Sequence, residues 1–87
     1  MEKPNTGYEQ ALKKVIDIRL QRQKIYGDDW RDSEYWELMA FIKSKAQRLK
    51  HLVIDNKSQS YEKIEDTLVD LINYSLFMLE LKIEKQQ

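Results

Sequence analysis

Residues 61–85 read YEKIEDTLVDLINYSLFMLELKIEK, and this stretch decides the fold. Apolar residues recur there at helical spacing, and between positions 68 and 81 they point nearly all the way round the helix. A helix that is apolar on most sides is buried on most sides. Because three helices cannot supply that cover within one subunit, we expect a homo-oligomer in which this helix packs against its copy. Its predicted core face comprises Ile64, Leu68, Leu71, Ile72 and Leu79.

The sequence upstream predicts two more helices. One runs from about residue 8 to residue 26, where Gly27 can take the left-handed conformation that ends a helix. The other runs from about residue 33 to residue 54, with Asp32 or Ser33 as its N-cap. With only two glycines and one proline, the sequence has few of the residues that form turns between the strands of a sheet. The sequence therefore predicts an all-α fold.

A polar connection at residues 55–60 has an ordinary length for a link between antiparallel helices, and Ser60 is a plausible cap for the third helix. We therefore expect a single domain over residues 1–87, with two long antiparallel helices and a frayed lead-in at residues 1–7. The predicted core faces of the first two helices comprise Tyr8, Ala11, Leu12, Val15, Ile18, Tyr35, Leu38, Met39, Ile42, Ala46, Leu49 and Val53.

The composition of the 87 residues excludes several classes of protein. The absence of cysteine rules out a disulfide scaffold, a Cys-ligated zinc site and a thiol nucleophile. The 15 basic residues balance 15 acidic ones, which argues against a general nucleic-acid binder. No apolar run approaches the roughly 18 residues that span a bilayer, and no signal peptide stands at the start. We therefore expect a cytoplasmic protein without a membrane partner.

Charge is unevenly distributed along the chain. Residues 1–60 carry 12 basic and 9 acidic side chains, a balance of +3, whereas residues 61–87 carry 3 basic and 6 acidic ones, a balance of −3. The simplest interpretation is electrostatic attraction between the third helix and the other two.

The third helix also carries the most informative polar pattern. Glu62, Asp66 and Asp70 are spaced four residues apart, so they share one face, and Asn73 extends that face by about one turn. Asp70 stands among apolar residues, where an unpaired carboxylate would be costly. A positive group should therefore lie near it. Ion pairs with basic side chains of the second helix, a bound Mg²⁺ and a contact with a ligand all remain open at this point.

Two other segments offer ligand-binding side chains. Lys45 and Arg48 lie three residues apart on one flank of the second helix and could grip a phosphate, although a solvated basic face has the same pattern. Tyr26 and Trp30 surround a glycine in the connection between the first two helices. Aromatic faces stack on nucleobases, but the same pair could instead close the end of a helical bundle.

Three motifs in this order carry a family resemblance: Lys24…Tyr26-Gly27-x-x-Trp30, Lys45-x-x-Arg48-Leu49-x-x-Leu52 and Glu65-Asp66-Thr67-Leu68-x-Asp70-Leu71-x-Asn73-Tyr74. Over roughly residues 10–82 the chain resembles the family called nucleotide modification associated domain type 1, which is common in phages. That family is similar to the MazG-like all-α nucleotide pyrophosphatases.

The resemblance implies an oligomeric helical bundle that handles nucleotides. In MazG-like enzymes, four acids on two antiparallel helices bind Mg²⁺, which activates water and bridges the phosphates. Carried over by position, Asp66 and Asp70 would be metal ligands and Glu62 a third. Lys45 and Arg48 would face phosphate, and Tyr26 or Trp30 would face the base or sugar. The nucleotide-binding residues that we expect are Lys24, Tyr26, Trp30, Lys45, Arg48 and Asn73.

The chain departs from this pattern on its second helix. Relatives usually carry an acid immediately before the Lys of Lys-x-x-Arg, and here that position is Ser44. Glu34 and Glu37 have the right type for the second acidic pair, but they lie one to three turns from where the opposite acids would meet them. A two-metal site needs carboxylates from both sides, so nucleotide binding is better supported than hydrolysis.

Three hypotheses follow for the function. The first is a small phage-type oligomer that binds and sequesters a phosphorylated nucleotide, cyclic or signalling nucleotides included, without hydrolysing it. The second is a Mg²⁺-dependent nucleoside triphosphate pyrophosphohydrolase of MazG-like type, with no catalytic residue assigned beyond the metal ligands. The third is a helical adaptor for protein interactions, in which the charges are only structural.

Overall fold

The computed structural model describes residues 6–55 and 61–85, with the backbone alone for Thr6, Tyr61 and Glu62. This part of the chain contains α1 (Thr6–Tyr26), a 3-10 helix (Asp29–Asp32), α2 (Tyr35–Ile54) and α3 (Tyr61–Lys85), and it contains no strand. The all-α prediction is therefore confirmed, with predicted starts two residues away from the observed ones in α1 and α2. Most of the expected lead-in and the Ser60 cap lie outside the described residues. Within them, no helix has both the length and the apolar content to cross a membrane.

The N-cap of α2 is Glu34, so the expectation of Asp32 or Ser33 was wrong. The Glu34 amide donates to Glu37 Oε1 at 2.9 Å, and the Glu34 side chain accepts from the Glu37 amide in return. This reciprocal arrangement satisfies two backbone donors that a helix start would otherwise leave unpaired. Asp32 is not free to cap because it ends the 3-10 helix, and the amide of Ser33 donates to the Trp30 carbonyl at 3.1 Å.

Gly27 ends α1 as predicted. Its φ angle is 63°, in the left-handed region, and its amide donates to the carbonyl of Gln23 at 2.8 Å. Only glycine enters this region without a steric penalty from Cβ. The chain therefore turns sharply out of α1 into the 3-10 helix that carries Trp30.

Helices α2 and α3 form the main packing unit and run antiparallel. Going along α2, Tyr35 and Phe41 meet residues progressively earlier in α3, since Tyr35 lies against Lys85 and Phe41 stacks on Tyr74. Leu38 lies between these two contacts along α2 and is the most deeply buried residue of the described chain, with 1% of its surface exposed. The predicted antiparallel pair is thus formed by α2 and α3.

Helix α1 and the 3-10 helix contact α3 largely through opposite charges. We call this set of contacts the charged seam; its pairs are Lys14–Glu65, Arg19–Glu80, Arg22–Asp70 and Arg31–Glu84. Every basic member comes from the first 31 residues and every acidic member from α3. The charge asymmetry of the sequence therefore corresponds to a real electrostatic contact between the third helix and the rest.

The apolar core is smaller than the sequence predicts. Among the described residues, the buried apolar side chains are Val15, Leu38, Val69 and Leu81, and the buried polar ones are Thr67 and Asn73. Several expected core residues are instead largely exposed, namely Tyr8, Ala11, Leu12, Met39, Ala46, Val53, Leu68, Ile72 and Leu79. Part of the reason is that α1 contacts α3 through several ion pairs beside Val15, and these bring less apolar surface against α3 than the sequence predicts.

Replacing Leu38 by Ala should destabilise the fold by about 2–5 kcal/mol, because it opens a cavity where α2 meets α3. The measurement is urea unfolding followed by circular dichroism. Met39→Ala is the matched control, since Met39 is adjacent and 52% exposed, and it should cost much less. Equal losses in the two variants would contradict the assignment of Leu38 to the centre of the core.

Candidate functional site

A cavity of about 440 Å³ lies where all three α-helices and the 3-10 helix meet. Side chains from each of these four elements line it, so it forms only when the whole described chain is folded. One side of the lining is aromatic, another is charged, and a buried amide, that of Asn73, completes it. Together these groups make the cavity the principal candidate site.

Stacked rings form the aromatic side of the cavity, which we call the aromatic wall: Trp30, Tyr74 and Phe77. The rings of Trp30 and Phe77 are parallel within 14° with centroids 4.4 Å apart, and Tyr74 meets Phe77 edge to face at 6.1 Å. Arg19 places its guanidinium carbon 5.1 Å from the Phe77 centroid and 5.6 Å from that of Trp30. These distances suit offset stacking and cation–π contact, so the wall is held firmly.

Asp70 is the centre of the charged side, with 13% of its side chain exposed. Lys45 Nζ lies 3.1 Å from Oδ2, and Arg22 Nη1 lies 2.6 Å from Oδ1. The contact with Arg22 is an ion pair by distance, but its geometry is not that of a hydrogen bond. Of the possibilities that the sequence left open for Asp70, the structure shows an ion pair with a basic side chain of α2, together with a second one from α1.

Arg19 is fixed by a second acid of α3. Its two terminal nitrogens donate to the two carboxylate oxygens of Glu80 at 2.6 and 2.8 Å, a bidentate pair. This hydrogen bonding to Glu80 raises the pKa of Arg19 above its usual value, against the opposing effect of burial. Arg19 therefore enters the cavity as a permanent cation whose orientation is set by Glu80.

Asn73 is 2% exposed and belongs to the cavity wall. Its Nδ2 donates to the backbone carbonyl of Val15 at 3.3 Å, which links α3 to α1. Its Oδ1 is buried and accepts no hydrogen bond from any described residue. Buried polar atoms in folded proteins usually have a hydrogen-bond partner, so the unpartnered Asn73 Oδ1 is an exception that calls for an explanation.

The structure brings together some of the residues predicted to bind a nucleotide and separates others. Tyr26, Trp30, Lys45 and Asn73 line the cavity, and Tyr26 stands at its edge with 64% of its surface exposed. The two remaining candidates, Lys24 and Arg48, are exposed residues that do not line it. Both side chains lie on parts of the surface of α1 and α2 that do not border the cavity.

Of the three acids proposed as Mg²⁺ ligands, the structure describes the side chains of Asp66 and Asp70. Asp66 is exposed and borders a smaller depression beside Asp70, and the side chain of Glu62 lies outside the described residues. Those residues include no cluster of three or more His, Cys, Asp or Glu side chains that could hold a metal ion. The magnesium site stays a prediction.

Sequence reasoning missed five side chains that line the cavity, namely Arg19, Arg22, Gln23, Tyr74 and Phe77. A helical signal for the first two exists, because Val15, Arg19 and Arg22 follow one another at four and then three residues and so share a face. Val15 is buried, and its face therefore points inward. Phe77 follows Asn73 by four residues on α3 and could have been placed by the same argument.

Comparison with known families gives one match. The family model of nucleotide modification associated domain 1 matches residues 22–81, more than half of the chain. The chain therefore belongs to this family. Neither the curated proteins nor the solved structures gave a match to this chain.

Gly27 lines the cavity, and its left-handed conformation sets the path of the chain into Trp30. A Cβ added there would meet no atom within 4 Å, so the penalty for alanine is conformational alone. We expect Gly27→Ala to lower the free energy of unfolding by about 1 kcal/mol. Gly27→Asn is the control and should lose less, because asparagine tolerates this region. Urea unfolding measures both, and a larger loss for Asn would refute the explanation.

Proposed function

We propose that this member of the family binds one nucleotide in the cavity, with the base near the aromatic wall and the phosphate near Arg22 and Lys45, and that it holds the nucleotide without cleaving it. One observation carries the proposal. Aromatic faces and a partly buried cluster of Arg22, Lys45 and Asp70 line the same cavity. These surfaces complement the two parts of a nucleotide, a flat base and an anionic phosphate.

The aromatic wall supports recognition of a base. Stacking of a base on an aromatic side chain contributes about 1–3 kcal/mol and tolerates any base, because every base has a π-face. Tyr26 lies at the cavity edge and is largely exposed, so its ring is available to a ligand without disturbing the core. The Trp30–Phe77 stack supplies a further aromatic surface in the lining.

The charges support recognition of a phosphate. Arg19, Arg22 and Lys45 line the cavity, and they are opposed by Asp70 within it and by Glu80, the partner of Arg19. Three positive and two negative groups leave one positive charge. That charge matches a single phosphodiester or monoester better than a triphosphate, so we expect cyclic mononucleotides and monophosphates to bind more tightly than triphosphates when Mg²⁺ is absent.

The cavity volume is compatible with this ligand class. Pockets for small ligands and cofactors occupy roughly 300–1,000 Å³, and the cavity of about 440 Å³ lies in the lower part of that range. One mononucleotide is a suitable occupant for a space of this size, whereas a linear dinucleotide would have to extend beyond it.

A Mg²⁺-dependent pyrophosphohydrolase is the second candidate, and one observation favours it. Asp66 and Asp70 border the same small depression next to Arg22. The two carboxylates, joined by Glu62 one turn earlier in the sequence, would hold a Mg²⁺ ion that activates water, as the MazG-like resemblance suggests. Binding without cleavage ranks higher because Lys45 and Arg22 already neutralise Asp70.

Self-association forms part of the proposal, with a second copy of the chain covering the exposed apolar faces. On α3, Leu68, Ile72, Leu79 and Ile83 are all exposed at helical spacing, and the zero net charge adds no repulsion between copies.

Titration calorimetry and thermal melting with nucleoside monophosphates, triphosphates and cyclic mononucleotides, each with and without Mg²⁺, test the binding proposal. A ligand at about 100 times its dissociation constant adds roughly 2.7 kcal/mol, which raises the melting temperature visibly. Lys45→Gln removes a charged contact and should weaken binding by about 10-fold or more. Lys43→Gln, an exposed position two residues away, should leave the affinity unchanged.

The same incubations separate the alternatives when products are followed by chromatography. A rise in melting temperature without products supports the binder. Release of pyrophosphate in the presence of Mg²⁺ would contradict binding without cleavage and support the pyrophosphohydrolase. In that case Asp70→Asn should abolish turnover. If no nucleotide raises the melting temperature and Lys45→Gln behaves like Lys43→Gln, the binding proposal is wrong and the adaptor hypothesis gains.

Light scattering at micromolar concentration tests self-association. We expect a mass that is a multiple of 10.5 kDa for the unaltered chain, and Leu79→Lys should shift it towards the monomer by placing a charge in an apolar contact. Gln47→Lys adds the same charge at an exposed position of α2 and should leave the mass unchanged. A monodisperse monomer of the unaltered chain would refute this part of the proposal.

A further inference from the structure

One face of α3 is exposed along most of the helix. Its residues are spaced alternately by three and four positions, which is the spacing of helices that pair side by side. We call this face the α3 stripe; it comprises the exposed residues Glu65, Leu68, Ile72, Ser75, Leu79 and Lys82. Its three apolar side chains expose 39%, 42% and 53% of their surface, although α3 packs against α1 and α2 on its other sides.

The order of residues in the α3 stripe is self-complementary. Taken from the two ends inwards, its pairs are Glu65 with Lys82, Leu68 with Leu79, and Ile72 with Ser75. The two members of each pair lie equally far from a midpoint between positions 73 and 74. Two copies of α3 packed antiparallel about this midpoint would therefore bring acid against base at the ends and apolar side chains together further in.

We infer that the chain forms a two-fold symmetric dimer in which the α3 stripe packs antiparallel on that of a second copy, with Leu68 against the partner's Leu79 and Glu65 against the partner's Lys82. The inference rests on the self-association in the proposed function and adds the direction and register of the contact. A two-fold interface uses the same patch on both subunits, so residue i meets residue j and j meets i. The α3 stripe has this order.

Other pairings of the same stripe fit less well. Parallel pairing in register would set Glu65 against the partner's Glu65 and Lys82 against the partner's Lys82, and facing like charges repel. An antiparallel pairing shifted by seven residues in one direction would set Ile72 against the partner's Lys82, and a shift in the other direction would take Leu79 beyond the stripe. Among these arrangements, the register centred between positions 73 and 74 pairs both the charges and the leucines.

Two further observations fit this arrangement. Glu65 pairs with Lys14 of its own chain and still exposes 60% of its side chain, so a second cation can reach it. Apolar residues that are not buried also border the stripe on both sides, namely Ile64, Leu71, Leu76, Met78 and Ile83. A second α3 would therefore cover an apolar band that is wider than the stripe itself.

The α3 stripe is separate from the cavity, since none of its residues belongs to the cavity lining. The residues of α3 that line the cavity are Asp70, Asn73, Tyr74 and Phe77. The dimer therefore carries two cavities, each formed within one subunit, and we expect one nucleotide to bind per chain.

Charge reversal with rescue tests the direction of the contact by analytical ultracentrifugation. Lys82→Glu sets a carboxylate against the partner's Glu65, so we expect the dissociation constant of the dimer to rise about 10-fold. Glu65→Lys combined with Lys82→Glu restores both opposite-charge pairs and should return the constant to within about 3-fold of its original value. Lys43→Glu makes the same charge change at an exposed position of α2 and should leave the constant unchanged.

A distance between spin labels tests the register without altering the stripe. The chain has no cysteine, so Lys63→Cys supplies a single labelling position, exposed and outside the stripe. In the antiparallel register this position lies level with position 84 of the partner, which separates the two labels by 21 residues, roughly 32 Å along the axis. Parallel pairing would bring them within about 20 Å, because paired helices lie only about 8–10 Å apart. Pulsed electron paramagnetic resonance measures this distance.

The outcomes separate this inference from the proposal on which it rests. The longer label distance, with a loss in Lys82→Glu that the double variant reverses, supports the antiparallel dimer. The shorter distance, or equal behaviour of Lys82→Glu and Lys43→Glu, overturns the register while self-association stands. A monodisperse monomer of the unaltered chain refutes both, and nucleotide binding is decided independently by calorimetry.

Discussion

The carboxylate of Asp70 is the contact on which the rest of the molecule depends, since it joins all three α-helices. It belongs to α3, its Oδ2 meets Lys45 of α2 at 3.1 Å, and its Oδ1 meets Arg22 of α1 at 2.6 Å. A partly buried carboxylate without a partner costs free energy. The two cations are therefore needed at the place where helix packing buries Asp70. The same contact places Arg22 and Lys45 in the cavity wall. The cations that stabilise the buried carboxylate in the fold are therefore also the cations of the candidate site.

Helical periodicity is sufficient to predict the elements but not which of their faces are covered. Gly27 and the bounds of α3 follow directly from local sequence, because left-handed glycine and helix spacing act over a few residues. The burial of a face depends instead on how neighbouring helices cross. Ile72 lies on the predicted core face of α3 and is nevertheless 42% exposed, because α1 approaches α3 from another side.

The candidate site shows the same contrast between features that local sequence predicts and features that depend on how the helices pack. The need for a positive group near Asp70 could be argued from the cost of burying a carboxylate, and Lys45, one of two candidates on α2, is a partner in the structure. Arg22 could not be assigned to Asp70 from local pattern, since the two residues are far apart in the sequence and their contact depends on the placement of α1. Arg48 was expected beside Lys45, but it is exposed and does not line the cavity. Local sequence pattern therefore predicted the kinds of side chain that line the cavity better than it predicted which residues line it.

The charged seam has a consequence for how the molecule responds to its medium. Helices α2 and α3 are joined by apolar and aromatic contacts around Leu38, whereas α1 is joined to α3 largely by ion pairs such as Lys14–Glu65 and Arg19–Glu80. Dissolved salt screens exposed ion pairs and leaves apolar contacts intact. Rising ionic strength should therefore weaken the more exposed pairs of the charged seam, such as Lys14–Glu65, more than the partly buried pair of Arg19 and Glu80. Because α1 carries one side of the cavity, α1 should separate from α3 before α2 does, and the cavity should then open.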